Sequence, residues 1–145
     1  MVVKAKTLTD TARLPERGSS LAAGYDLYAD IVGEERIAPH ETKAIPTGLS
    51  VAIPEGYYGG VYARSGLASK EGLRPANCVG VIDADYRGEI LVMLHNDSGV
   101  ERTVTHGQRI AQLVIQPFLE VTFARTDTLE DTARGTGGFG STGTH

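Results

Sequence analysis

Val79–Leu94 reads VGVIDADYRGEILVML. An apolar run, Val79–Ile82, enters a polar turn through Asp83, Asp85, Arg87 and Gly88 and leaves as Ile90–Leu94. Two β-rich runs around such a turn predict a hairpin. Ile90, Val92 and Leu94 fall on one face of the outgoing strand, Leu91 and Met93 on the other. A strand apolar at both parities is expected to be buried on both faces, in the middle of a domain. Its tip nevertheless carries three acids, an arginine and a tyrosine between Asp83 and Glu89. Two explanations stand. The tip is a solvated turn, with Asp83 or Asp85 bonded to local backbone. Or it is a pocket, with a carboxylate to take a proton and an aromatic to pack on a ring.

The remaining composition bounds the answer. At 145 residues the chain is expected to form one domain with a real core. It has 18 glycines, no tryptophan and short Val/Ile/Leu runs, which favour an all-β fold with many turns. A net charge of −4 argues against a general nucleic-acid binder, though a small phosphorylated ligand needs only a few local donors. The single cysteine, Cys78, excludes an internal disulfide and reads as a buried structural thiol. No signal-peptide core or membrane-length apolar run is present, so the expectation is a soluble, intracellular protein, cytoplasmic or nuclear, with an organelle not excluded.

In chain order, Met1–Leu8 is a possible first strand and Thr9–Ser20 a loop. Leu21–Ala29 is a strand in which Asp26 sits between Tyr25 and Leu27. A buried acid must be paired, so Asp26 either holds a structural contact or faces cations and their waters. The small residues at 22–24 point to close backbone approach. Further strands are expected at Glu34–Ile37, Thr42–Pro46, Gly48–Ile53 and Tyr57–Ala63, with a turn at Pro54-Glu55-Gly56. Leu67–Glu71 is the one helical segment, with Ser65 as its N-cap and Arg64 just before it. That arrangement suits an anion, or is simply a capped helix with a surface arginine. After the hairpin come a strand at Val100–Thr105 and another through Arg109–Ile115. Simple alternation puts Arg109 with Ala111 and Leu113, and Gln112 with Ile110 and Val114. Gln112, an amide among apolar residues, must find a partner in backbone or ligand. Val121–Ala124 reads as the last strand.

Arg134–Gly143, RGTGGFGSTG, cannot pack a core. It is a mobile tail, or a lid whose freed backbone N–H groups wrap phosphate oxygens. Arg134, Ser141 and Thr142 can add donors, and Phe139 can cover a base. The Gly-Lys-Ser/Thr ending of a Walker loop is absent.

Five stretches in this order resemble the five motifs of the homotrimeric deoxyuridine triphosphatase (dUTPase) family. They are AGYDLYA around Asp26, ARSGLA around Arg64, Asn77 with GVIDADYRGEI, RIAQL around Gln112, and RGTGGFGSTG. The resemblance implies a distorted jelly-roll β-barrel over residues 1–125, with one short helix. Residues 126–145 would be a flexible glycine-rich arm closing over the site of another subunit. It implies a homotrimer whose three sites each draw on all three chains, with dUTP as substrate, and no nucleic-acid or membrane partner. Asp83 would be the general base for in-line attack of water on the α-phosphorus. Mg²⁺ would bind the three phosphates and waters, with Asp26 reaching it through water. Arg64, Ser65, Gly66 and Gln112 would grip the phosphates. Arg134, Gly140, Ser141 and Thr142 would hold their distal end, and Phe139 would stack on uracil. Asn77 and the backbone of Gly80, Val81 and Ile82 would read the base, and Tyr86 would pack on the deoxyribose. The nearest alternative is a dCTP deaminase of the same superfamily, whose second motif resembles Arg-Ser-Ser and which lacks this tail. A second is a non-catalytic nucleotide-binding protein on the same fold.

Overall fold

Short apolar runs bounded by Gly and Pro become strands where alternate side chains can be buried. A computed structural model describes residues 1–138. Among them the strands are β1 (Lys4–Thr7), β2 (Glu16–Arg17), β3 (Tyr25–Tyr28), β4 (Glu34–Ile37), β5 (Thr42–Pro46) and β6 (Leu49–Ala52). They continue as β7 (Tyr57–Tyr62), β8 (Leu73–Pro75), β9 (Gly80–Ile82), β10 (Leu91–Asn96), β11 (Arg102–Thr105) and β12 (Arg109–Pro117). Four antiparallel sheets result: β1-β6, β5-β10-β8, β11-β4 and β2-β3-β12-β7-β9. The all-β, jelly-roll expectation holds, but none of the sheets closes on itself, so the barrel is open.

The core is built from alternate residues of these strands. Leu27, Ile37, Ile45, Leu49, Ile90 and Leu94 are fully buried. β10 buries Val92 and Leu94, but Leu91 is 47% and Met93 41% exposed. The expectation that this strand is buried on both faces is therefore corrected. One face packs on the core, and the other lines a surface cavity described below.

The hairpin also needs correction. β9 pairs with β7, with Gly59 opposite Ile82 and Val61 opposite Gly80. β10 pairs instead with β5 and β8. The two arms belong to different sheets, and the tip is stitched to the start of β6. The Ile90 N–H donates to the Leu49 carbonyl at 2.8 Å. The Thr47 hydroxyl donates to the Ile90 carbonyl at 2.7 Å, and that of Ser50 to the Arg87 carbonyl at 2.8 Å. Glu89 accepts the Gly48 N–H at 2.8 Å. These bonds satisfy the polar groups of a tip held against a buried strand.

Three further expectations fail for local reasons. Leu67–Glu71 is a single wide turn of the π type, anchored by buried Leu67, and Ser65 makes no capping bond. Gly72, at φ 72°, ends it by donating its N–H to the Ala68 carbonyl. Cys78 is exposed rather than buried, because it sits at φ 62° at the tip of a tight turn. Val121–Ala124 forms no strand; the chain leaves the sheets after Pro117, and Phe123 is 95% exposed. No helix among the described residues is long and apolar enough to cross a membrane.

Candidate active site

The five-stranded sheet sets Asp26, Gln112 and Tyr62 opposite one another on β3, β12 and β7. Their strand neighbours Leu27, Ala111 and Val61 point into the core, so this row faces outward. Asp26, 14% exposed, is the acid expected inside an apolar strand, and it is paired twice. Arg64 Nε donates to its Oδ1 at 2.9 Å and Arg109 Nη1 to its Oδ2 at 3.2 Å. Gln112 Nε2 donates to the Ala63 carbonyl at 2.9 Å, the backbone partner foreseen as one alternative. With Gly24, Ser65 and Gly66 these residues line a cavity of about 260 Å³.

The close approach at Gly24 is to a side chain rather than to backbone. A Cβ there would overlap Gln112 Oε1 and stand 3.2 Å from Gln112 Cβ. Beside this cavity lies a larger one, about 650 Å³, that shares Arg64 and Arg109 and adds Arg13 and Lys70. Four cations against Asp26 and Glu71 favour a polyanion.

Arg13 is aimed there by a pinned loop. Its guanidinium lies 4.1 Å from the Tyr28 ring centroid. The loop before it is held by Asp30, whose carboxylate accepts from the Thr9 hydroxyl and, at 2.7 Å, from that of Thr11. Burial opposes ionisation of Asp30. The two hydroxyl bonds and the nearby His106 ring outweigh it and hold the carboxyl below its ordinary range.

The hairpin tip forms a second, separate cavity of about 230 Å³. It is lined by Val81, Ile82, Asp83, Tyr86, Glu89, Leu91 and Met93. The Tyr86 hydroxyl donates to the Glu89 carbonyl at 2.9 Å, which turns the ring across Gly88. Asp83 is exposed, and no ion pair engages it among the described residues. Gly80 is buried beneath Asn77: a Cβ would stand 3.1 Å from Asn77 Nδ2 and 3.2 Å from Val61 Cβ.

The expected residues thus fall into two groups. Asp26, Arg64, Ser65, Gly66 and Gln112 come together, and so do Asn77, Gly80, Val81, Ile82, Asp83 and Tyr86. The two groups line separate cavities: β12 and β7 lie between β3, which carries Asp26, and β9, which carries Gly80–Ile82, while Gln112 sits on β12 and Arg64 follows β7. Arg134 joins neither cavity; its Nε donates to the Gly137 carbonyl at 2.9 Å. Phe139, Gly140, Ser141 and Thr142 lie outside the described residues. Arg109, Gly24 and Glu89 were not foreseen as site residues. Glu89 carried a visible signal as an acid at the foot of the tip and Gly24 as one of the small residues at 22–24, whereas Arg109 carried none.

No three His, Cys, Asp or Glu groups converge into a metal cage among the described residues. Asp26 and Gln112 are nonetheless oxygen donors lining one cavity. Such a sparse set fits a hard cation that keeps its waters and borrows phosphate oxygens.

An open jelly roll with a cation-lined cavity on one sheet face, and an aromatic-walled pocket apart from it, defines a nucleotide-handling class of protein. The chain belongs to the dUTPase family, whose family model matches residues 10–143. It is 48% identical over 143 residues to the deoxyuridine 5'-triphosphate nucleotidohydrolase of Oryza sativa subsp. japonica, covering 98% of this chain and 81% of that one. It is 50% identical over 132 residues to that of Desulfitobacterium hafniense, covering 90% and 87%. Among solved structures, a variant of the Staphylococcus bacteriophage 80alpha dUTPase with dUpNHpp superposes with a TM-score of 0.88 at 30% identity, covering 98% of each chain. A variant of the phage phi11 dUTPase, described with a structural Mg(II) ion, gives 0.81 at 27% identity, covering 90% of this chain and 100% of that one.

Proposed function

We propose that this chain is a dUTP diphosphatase that works as a homotrimer. It would hydrolyse dUTP to dUMP and pyrophosphate, keeping uracil out of DNA and supplying dUMP for dTMP synthesis. The observation that carries this reading is the division of the site. A grip for a phosphate chain and a pocket for a nucleoside lie along one sheet but in separate cavities that share no residue. A neighbouring copy that presents its hairpin tip to this copy's arginines unites them. The half-exposed Leu91 and Met93 beside the tip give such a contact an apolar surface.

In that assembly Asn77 and the backbone of Gly80, Val81 and Ile82 bind the uracil edge. A cytosine would leave those polar groups unpaired, which makes rejection strong. Tyr86, held by its bond to Glu89, packs on the deoxyribose and leaves no room for a 2′-hydroxyl. Arg64, Ser65, Gly66 and Gln112 bind the phosphates and set the α-phosphorus in line with a water. Asp83, exposed at the tip, accepts that water's proton. Asp26 and Gln112 would hold Mg²⁺ through its waters, and the ion would supply charge neutralisation on the phosphates when bound. Residues 1–125 form the body and 126–145 the arm. In that arm Arg134, Gly140, Ser141 and Thr142 offset charge on the leaving pyrophosphate and Phe139 covers the base. A soluble, intracellular protein, cytoplasmic or nuclear, is consistent with this substrate.

The test is pyrophosphate release from dUTP, dCTP, dTTP and UTP in parallel, with Mg²⁺ and then with EDTA. Turnover of dUTP alone, weakened by EDTA, is the expected result. Equal turnover of all four, or none, overturns the reading, and ammonia release from dCTP would move the chain to the deaminases.

A further inference from the structure

We propose that Arg109 is a positioning residue of the phosphate half-site, acting through Asp26. The proposal rests on the hydrolytic reading above and gives a role to a residue that stands in the RIAQL motif but to which the resemblance assigned none.

Alternation along β12 would send Arg109 toward the core with Ala111 and Leu113. The ladder with β3 prevents this. Arg109 stands opposite Tyr28, Ala111 opposite Leu27 and Gln112 opposite Asp26, with a register shift between Arg109 and Ala111. The shift accommodates one extra residue, as a β-bulge does. Arg109 and Gln112, three apart in sequence, therefore reach the same face. Bulges beside sites commonly re-aim a side chain, and here the re-aimed guanidinium meets Asp26.

Each oxygen of the Asp26 carboxylate takes one arginine, Oδ1 from Arg64 and Oδ2 from Arg109. The two arginines are not equivalent. Both stand at the wall common to the two cavities, but Arg64 is the less exposed and leads directly into the Ser65-Gly66 turn, whereas Arg109 is half exposed. An arriving phosphate chain competes with Asp26 for Arg64. When Arg64 exchanges carboxylate for phosphate, Arg109 keeps Oδ2 in place. Oδ1 is then free, and correctly turned, to accept from a water at the phosphates. Without Arg109 the carboxylate rotates, and it also competes with the phosphates for Arg64.

The test uses the full chain and its Arg109→Ala, Arg109→Lys and Asp26→Asn variants, with Arg109→Ala also made in the Asp26→Asn background. Calorimetric titration with tripolyphosphate, in Mg²⁺ and in EDTA, reads the half-site without nucleoside or turnover. The expected result is that Arg109→Ala removes about tenfold of the Mg²⁺-dependent gain in affinity, the scale of one charge-assisted hydrogen bond. On dUTP, kcat falls about as much while KM moves less than about threefold, because the loss lies in orientation rather than uniform binding. Arg109→Lys recovers part of both. In the Asp26→Asn background, Arg109→Ala changes neither. Equal effects in both backgrounds would make Arg109 a direct phosphate ligand and overturn the proposal, as would an unchanged Mg²⁺-dependent gain in Arg109→Ala. If the wild-type protein releases no pyrophosphate from dUTP, the hydrolytic reading fails, while the titration still decides the role of Arg109.

Discussion

Replacing Gly24 by Ala tests how the phosphate half-site is packed. The added Cβ would overlap Gln112 Oε1, with Gln112 Cδ at 3.0 Å and Cβ at 3.2 Å. The main obstacle is the end of the Gln112 side chain, whose amide is fixed by the Ala63 carbonyl at 2.9 Å, and the Gln112 Cβ stays close even if that end moves. Overpacking of this kind costs about 1–3 kcal/mol. If Gln112 swings away, its lost hydrogen bond adds roughly 0.5–1.5 kcal/mol. The sum, about 1.5–4.5 kcal/mol, is a large share of the ~5–15 kcal/mol typical of a folded protein. At about 3 °C per kcal/mol for a chain of this size, melting should fall by roughly 5–13 °C. Urea unfolding and calorimetric melting measure it, and pyrophosphate release should show kcat/KM for dUTP falling with the displaced amide. The decisive measurement is the pair Gly24→Ala with Gln112→Ala. Removing the Gln112 amide removes most of the overlap, so the double variant should be more stable than the two single losses predict, by about 1–2 kcal/mol. Strict additivity, or a Gly24→Ala variant with unaltered melting, would refute the packing argument.

Three other perturbations have definite expected outcomes. Asp83→Asn should retain binding of a non-hydrolysable dUTP analogue in calorimetry while kcat falls about 10²–10⁴-fold, since an amide cannot accept the water's proton; near-normal turnover would remove Asp83 from its role. Truncation after Arg125 should leave a folded protein, by circular dichroism and melting, with little dUTP turnover; full activity would reduce the arm to a linker. Asp30 contributes stability above the unfolded carboxyl value near ~3.9, and that contribution is lost as pH falls through its lower folded value. Asp30→Asn should therefore be less stable than wild type at pH 7 in urea titrations, with the difference shrinking below about pH 4; a difference that grows toward acid would contradict the sign.

Strand existence was legible where apolar runs meet Gly and Pro. Glu34–Ile37 and Thr42–Pro46 run between the same residues that their composition marks. Asp26 and Gln112 were legible as polar groups in apolar strands that must find partners, and both have them in Arg64, Arg109 and the Ala63 carbonyl. Pairing was not legible, because it is decided by residues far along the chain. The run Val79–Leu94 has the local chemistry of a hairpin, yet β9 goes to β7 and β10 to β5. Arg109 was assigned to the wrong face because a bulge leaves no mark in an alternating pattern. Cys78 reads as a buried thiol among apolar neighbours until its left-handed backbone is seen to turn it outward. Val121–Ala124 has a strand's composition but lies beyond Pro117, where the chain leaves the sheets, and pairs with none of them.

β12 also has a consequence for synthesis on the ribosome. It is the strand that joins β3 to β7, and it follows both in the chain. At ~5–20 residues per second, several seconds separate the emergence of β3 from that of β12. During that interval neither β3 nor β7 has its central neighbour, and unpaired strand edges are where one nascent chain adheres to another. Asp26 can meet Arg64 early, but Arg109 and Gln112 arrive only with β12. The cavity lined by Asp26, Arg64, Arg109 and Gln112 is therefore completed after most of the sheet strands have been made, and a chain interrupted before Arg109 would carry an acid and an arginine without the strand that aligns them.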